Sequence, residues 1–123
     1  MRCSSVFGTW NSGVGPIPPA QPTWIEFQLT GGYITKPIEI ARVRGILNMS
    51  PPGNCSHTLT FDTAHIITWA GAMTMGTELL WVATKVQTAS VIRMATTVTP
   101  AWAAFNAIEI FGCGSAVATM RTE

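Results

Sequence analysis

Charge is scarce in this sequence: seven basic and six acidic residues among 123, 11% of the chain, with a formal net charge of +1. The basic residues form no stripe, which excludes a nucleic-acid footprint dominated by phosphate contacts. Long apolar runs are missing too. No stretch approaches the ~18 residues needed to cross a bilayer as a helix, so no membrane span is expected. Met1 to Gly8 holds one Arg and no apolar h-region, so no secretory signal peptide is read there. Cysteine is limited to Cys3, Cys55 and Cys113, and an odd number cannot pair completely within one chain. A staple between Cys3 and Cys113 would tie the two ends together; with no export signal, three reduced thiols are expected instead. The two Asn-x-Ser sequons at Asn48 and Asn54 carry no weight for the same reason. Catalytic signatures are lacking as well. Asp62 is the only Asp, the Glu residues are scattered, no G-x-S-x-G elbow occurs, and no glycine loop of the phosphate-cradling kind is found. No pair of carboxylates is nominated for glycoside hydrolysis.

What the chain does hold is apolar mass. Hydrophobic residues make up 47%, with five Trp, which is ample to offset the entropy of ordering. The length suits one domain, expected to span 1–123 with its core in 8–113 and a loose tail over 114–123. Eleven Gly and eight Pro punctuate the chain too often for long helices and suit short strands.

The hydropathy pattern repeats with period two. From Trp24 to Leu29, Ile25, Phe27 and Leu29 point one way and Trp24, Glu26 and Gln28 the other, a half-buried strand. Gly31-Gly32 marks a turn. Ile38 to Leu47 is a second strand with Ile38, Ile40, Val43 and Leu47 inward; keeping Arg42 and Arg44 outward requires a phase slip near Ala41, hence a bulge. After the turn 50–54, Ser56 to Thr63 carries Leu59 and Phe61 on one face. Short strands follow at Ile66 to Trp69, at Leu79 to Thr84 (apolar on both faces, which suits an interior position), at Val91 to Val98 and at Phe105 to Phe111. Thr9 to Pro22 is turn-rich and reads as a long binding loop. Seven or eight short strands at regular intervals predict an all-β sandwich or barrel.

Four segments in order resemble one family: Thr9-Trp10-Asn11-Ser12-Gly13; Trp24-Ile25-Glu26-Phe27-Gln28-Leu29; Ile40-Ala41-Arg42-Val43-Arg44 with Ser50-Pro51-Pro52-Gly53-Asn54-Cys55-Ser56-His57; and Val91-Ile92-Arg93-Met94-Ala95-Thr96-Thr97 with Pro100-Ala101-Trp102 and Ile108-Glu109-Ile110-Phe111-Gly112. The set is similar to the discoidin, or coagulation factor 5/8 type C, superfamily of galactose-binding-like domains, and runs over residues 9 to 112. The resemblance implies a jelly-roll β-sandwich of two antiparallel sheets. It also implies a lectin-like, non-catalytic module that recognises a glycan, a lipid head group or another protein through loops at one end. Family domains begin with a further strand and an acidic turn. Here only eight residues precede Thr9 and Phe7-Gly8 stands in that place, so the first strand is expected to be lost or short, leaving an open sheet edge. The family's calcium site would use that turn and Glu109. Calcium takes about six to eight oxygen ligands, and with no Asp partner for Glu109 no metal or other cofactor is expected.

Ligand contacts are expected from Trp10, Asn11, His57 and Arg44. An indole can stack on a sugar face, and an amide can bond vicinal hydroxyls. Trp10 also fits as a plug at one end of the core. His57 forms a C-x-H pair with Cys55, and a zinc site would have to recruit Cys3, Cys113 or His65, so a hydrogen-bonded strand-edge His is the preferred role. Arg42, Arg44 and Arg93 could line one sheet face and hold an acidic sugar, or pair with Glu26 or Glu39 across strands. So few charges leave apolar surface exposed, which points to a homo-oligomer. A structural or self-assembling module without a small ligand is the alternative.

Overall fold

The computed structural model describes residues 2–11, 23–29, 37–49, 52–100 and 104–114. They form nine strands: β1 (Arg2–Asn11), β2 (Thr23–Gln28), β3 (Ile38–Leu47), β4 (Gly53–Phe61), β5 (Ala64–Met73), β6 (Glu78–Val82), β7 (Thr88–Ala89), β8 (Val91–Val98) and β9 (Ala104–Gly114). One sheet runs β1-β9-β3-β6, with the two-residue β7 beside β6 on β3, and the other runs β2-β8-β4-β5. All pairings are antiparallel. First pairs with last, second with next to last, and so inward to the β4–β5 hairpin. That nested order is the jelly roll, a β-sandwich.

Alternation sets the core. Burial follows every second residue in β3, β4 and β8. Ile40, Val43, Leu59 and Ile110 are fully buried between the sheets; each such side chain contributes about 1.5–3 kcal/mol. The slip that keeps Arg42 and Arg44 outward is a register shift between Ile40 and Arg42. Ile38, Ile40, Val43 and Leu47 all point inward, as the pattern required.

Three expectations change. The first strand is neither lost nor short: β1 has ten residues and pairs with β9 from Arg2↔Gly114 to Asn11↔Ala104. Thr9, Trp10 and Asn11 therefore belong to a strand; the rest of the expected loop, 12–22, lies outside the described residues, as do Gly31-Gly32, Ser50-Pro51 and 115–123. Second, β6 is an edge strand rather than an interior one, with Leu80 and Val82 exposed. Apolar residues on both faces signal an interior strand only when both faces are covered, and here the outer face is open. Third, Cys113 is disulfide-bonded instead of reduced, and its Cα partner across the β1–β9 pairing is Cys3. The jelly roll itself makes the first and last strands neighbours. Cys55 is free and buried.

Candidate functional site

At one end of the sandwich β1, β3, β5 and β8 finish and β2, β4, β6 and β9 begin. Trp10, next to the last residue of β1, is the register partner of Phe105 at the start of β9. The two rings stack, with centroids 6.2 Å apart and planes 22° apart. Phe105 is buried, whereas Trp10 is half-buried. Room for the phenyl ring comes from β3: a Cβ on Gly45 would lie 3.1 Å from Phe105 Cε1, so only glycine lets the ring rest there without displacement. Just past β3, the backbone N–H of Asn48 donates to Ala104 O at 3.1 Å, which holds Asn48 beside the start of β9. Thr9, Trp10, Asn48, Phe105 and Asn106 line an open depression of about 240 Å³. That is smaller than the ~300–1,000 Å³ of sites for drug-sized ligands and suits a single small ring.

Behind Phe105 sits His57. Its ring meets the phenyl edge-on, with centroids 5.6 Å apart and planes 65° apart. The imidazole is 2% exposed. Nδ1 lies 2.8 Å from Thr96 Oγ1, while Nε2 is buried without a hydrogen-bond partner. Burial disfavours the imidazolium and lowers the pKa to about 4. With no partner at Nε2, a neutral ring that carries a lone pair there costs least.

The expected contact residues thus part company. Trp10 borders the depression. Asn11 closes β1 by pairing with Ala104; its side chain lies outside the described residues. His57 is no loop-border or strand-edge residue: it faces the core from an interior strand and supports the depression from beneath. Arg44 stands on the outer face of the first sheet, hydrogen-bonded to Glu78, which raises its pKa. Arg42 on the same face meets Glu109 at 3.2 Å and lies over the Phe111 ring at 5.3 Å. Arg93 is on the other sheet, held by Glu26 at 2.8 and 2.5 Å and stacked 4.1 Å from the Trp24 ring. The three arginines therefore do not share a face. Two of them lie on one side of the sandwich and one on the other, because β3 and β8 belong to different sheets.

Metal chemistry finds little to work with. Glu109, the carboxylate that a family calcium site would use, is bonded to Arg42, so the residues described do not fit that ion. The Cys55 thiol faces Met49 and Thr99 rather than His57, and burial pushes its pKa up. Among the described residues no group of three or more His, Cys, Asp or Glu could hold a metal ion. No helix among them is long and apolar enough to cross a membrane.

Sequence reasoning missed Asn48, Phe105 and Asn106 as lining residues. Asn48 and Asn106 are both exposed, immediately past the buried Leu47 and Phe105. A polar residue next to the inward position nearest a strand end, after Leu47 at the end of β3 and after Phe105 at the start of β9, is the usable signal, but it becomes specific only once β9 is known to lie between β1 and β3. No family model, curated protein or solved structure matches the chain.

Proposed function

We propose that the protein is a non-catalytic binding module that recognises a glycan or cell-surface ligand through the Trp10 end of its sandwich. The observation that carries this reading is the depression itself: a half-buried indole and a buried phenyl ring, flanked by two exposed amides and a threonine. Apolar rings with a few convergent polar groups are the usual make-up of a small-molecule site. Four of the five described carboxylates support a binding role over a catalytic one. Glu26, Glu78 and Glu109 are each paired with an arginine, and Asp62 accepts two backbone N–H groups. The resemblance to discoidin-type domains points the same way. A glycan array probed with the wild type and with Trp10→Ala tests the reading. Binding that the substitution removes supports it; an array with no hit, or hits indifferent to Trp10, contradicts it.

A structural, self-assembling module is the second reading. It is favoured by Leu80, Val82 and Val86, which are 41%, 54% and 72% exposed on and just after edge strand β6. Exposed apolar side chains on a sheet edge are a common mark of a covered surface. Light scattering after size exclusion tests it: a stable oligomer that Val82→Asp dissociates supports assembly through this edge, and a monomer at all concentrations removes it.

A further inference from the structure

We infer that the depression takes an uncharged pyranose, and that Asn48 and Asn106 set this preference by reading its hydroxyls. The inference rests on the binding-module reading and narrows it to one ligand class. Three observations carry it. First, none of the five lining side chains ionises. Second, the strand connections at this end of the sandwich have no charged residue in the sequence, and Glu78, which opens β6 there, is paired with Arg44. The connections that leave the strand ends around the depression, 12–22, 48–52, 74–77 and 99–103, contain no Asp, Glu, Lys or Arg. Third, Arg42, Arg44 and Arg93 stand on the outer faces, already paired with Glu109, Glu78 and Glu26. Among the described residues, a phosphate, sialate or uronate seated at the Trp10 end would find no unpaired cation to offset its desolvation.

What the lining offers instead is complementary to a sugar. An Asn side chain both donates and accepts, so it suits a hydroxyl, which does the same, better than a group that only accepts. The indole supplies an apolar surface for the C–H face of a ring. The base of a nucleotide would also stack and bond to an amide, but its phosphates would meet no unpaired cation among the residues lining the depression. Neither amide is buried, so each can exchange water for a ligand hydroxyl without leaving an unsatisfied group in the free protein.

Calorimetry on the full chain tests this with the methyl pyranosides of galactose, glucose and mannose, and separately with glucuronic acid, N-acetylneuraminic acid and inorganic phosphate, at low and high salt. The expected result is binding of at least one neutral pyranoside with an affinity that salt leaves unchanged, and no measurable binding of the anions. Asn48→Ala and Asn106→Ala should each weaken it about 5- to 10-fold, the loss of one hydrogen bond, and Trp10→Ala should abolish it. Asn48→Asp and Asn106→Asp keep the side-chain shape and guard against a folding artefact; each should also weaken the neutral ligand. Tighter binding of an anionic sugar or phosphate, falling steeply with salt but still dependent on Trp10, would overturn this inference and leave the binding-module reading standing. Full affinity in folded Asn48→Ala and Asn106→Ala would overturn it as well. No binding of any sugar, charged or neutral, would remove the parent reading too.

Discussion

The two ends of this sandwich are built on different principles. The end where Asp62, Ser90 and Cys113 lie is tied shut. Asp62 closes the two-residue turn between β4 and β5 with φ at 57°, and its Oδ1 accepts the N–H groups of Ser90 and Val91 at 3.0 and 3.1 Å. Its own N–H donates to Val91 O, and Leu29 N–H donates to Ser90 O, both at 2.8 Å. The disulfide at Cys113 adds a covalent tie across the neighbouring corner. The Trp10 end has backbone ties of its own: Leu47 N–H to Thr77 O at 3.0 Å, Gly76 N–H to Leu47 O at 2.9 Å and Asn48 N–H to Ala104 O at 3.1 Å. In place of a carboxylate cap and a disulfide, however, its described residues offer a layered packing of Gly45, Phe105, His57 and Trp10. Charge follows the same division. Asp62 and Lys85 fall at the tied end, and the connections at the open end have no ionised side chain. The lesson is that, among the described residues, a carboxylate cap and a disulfide reinforce one end, while the other places uncharged side chains around its depression, the arrangement on which the proposed binding role rests.

Substitutions can break this contrast, and the largest effect belongs to Phe105→Ala. Deleting a buried phenyl ring should cost about 4 kcal/mol and remove the support for Trp10; urea denaturation measures it, and a loss under 1 kcal/mol would mean the open end is not held up by packing. Next, reducing the disulfide, or Cys113→Ser, should cost about 3 kcal/mol by freeing the denatured chain. Equal stability with and without reductant would contradict the covalent role given to the tied end.

Acid acts on the open end with a comparable magnitude. The pKa of His57 falls from an ordinary 6.5 to about 4 in the fold. Between those values the unfolded chain binds the proton and the native one does not, so stability rises with pH there. The contribution is fully present above pH 6.5 and is lost as the pH falls to 4, about 3 kcal/mol in all. Thermal melts across that window should show the slope in the wild type and lose most of it in His57→Gln; an unchanged slope would place the acid sensitivity elsewhere. At the tied end, Asp62→Ala forfeits two hydrogen bonds and a residue type that tolerates positive φ, about 2 kcal/mol together. Asp62→Asn should recover part of that loss, and its failure to do so would show that charge, rather than turn geometry, is what matters. Smallest of all, Asn48→Ala and Asn106→Ala should leave stability within about 0.5 kcal/mol, because both side chains are exposed.

The inward-facing positions were legible in the sequence because alternation depends only on neighbours. The Ile38–Leu47 strand could even be assigned its bulge, since two arginines on a buried strand must be turned outward and one extra residue does so. The position of β6 was not legible. Leu79 to Val82 reads as interior until the sheet order shows that nothing covers Leu80 and Val82. The disulfide at Cys113 and the depression share a cause of being hidden. Both depend on β1 and β9 being adjacent, a non-local pairing that no local window reveals. Trp10 stood out as an indole next to a turn, whereas Asn48 looks like an ordinary loop asparagine and Asn106 like an ordinary outward strand residue until the placing of β9 brings them to the same end. His57 was misplaced because a polar residue shortly after a Pro-Gly turn suggests a rim, yet its spacing of two from Cys55 and Leu59 puts it on the inward face.

The most direct test of the central claim is amide chemical-shift mapping during titration with methyl pyranosides of galactose, glucose and mannose. Perturbations confined to Thr9, Trp10 with its indole N–H, Asn48, Phe105 and Asn106, with Asp62, Ser90 and Val91 unmoved, are the predicted result. Shifts centred on the Asp62 end or on the outer faces around Trp24 or Leu80, or no shifts with any of the three sugars, would contradict it.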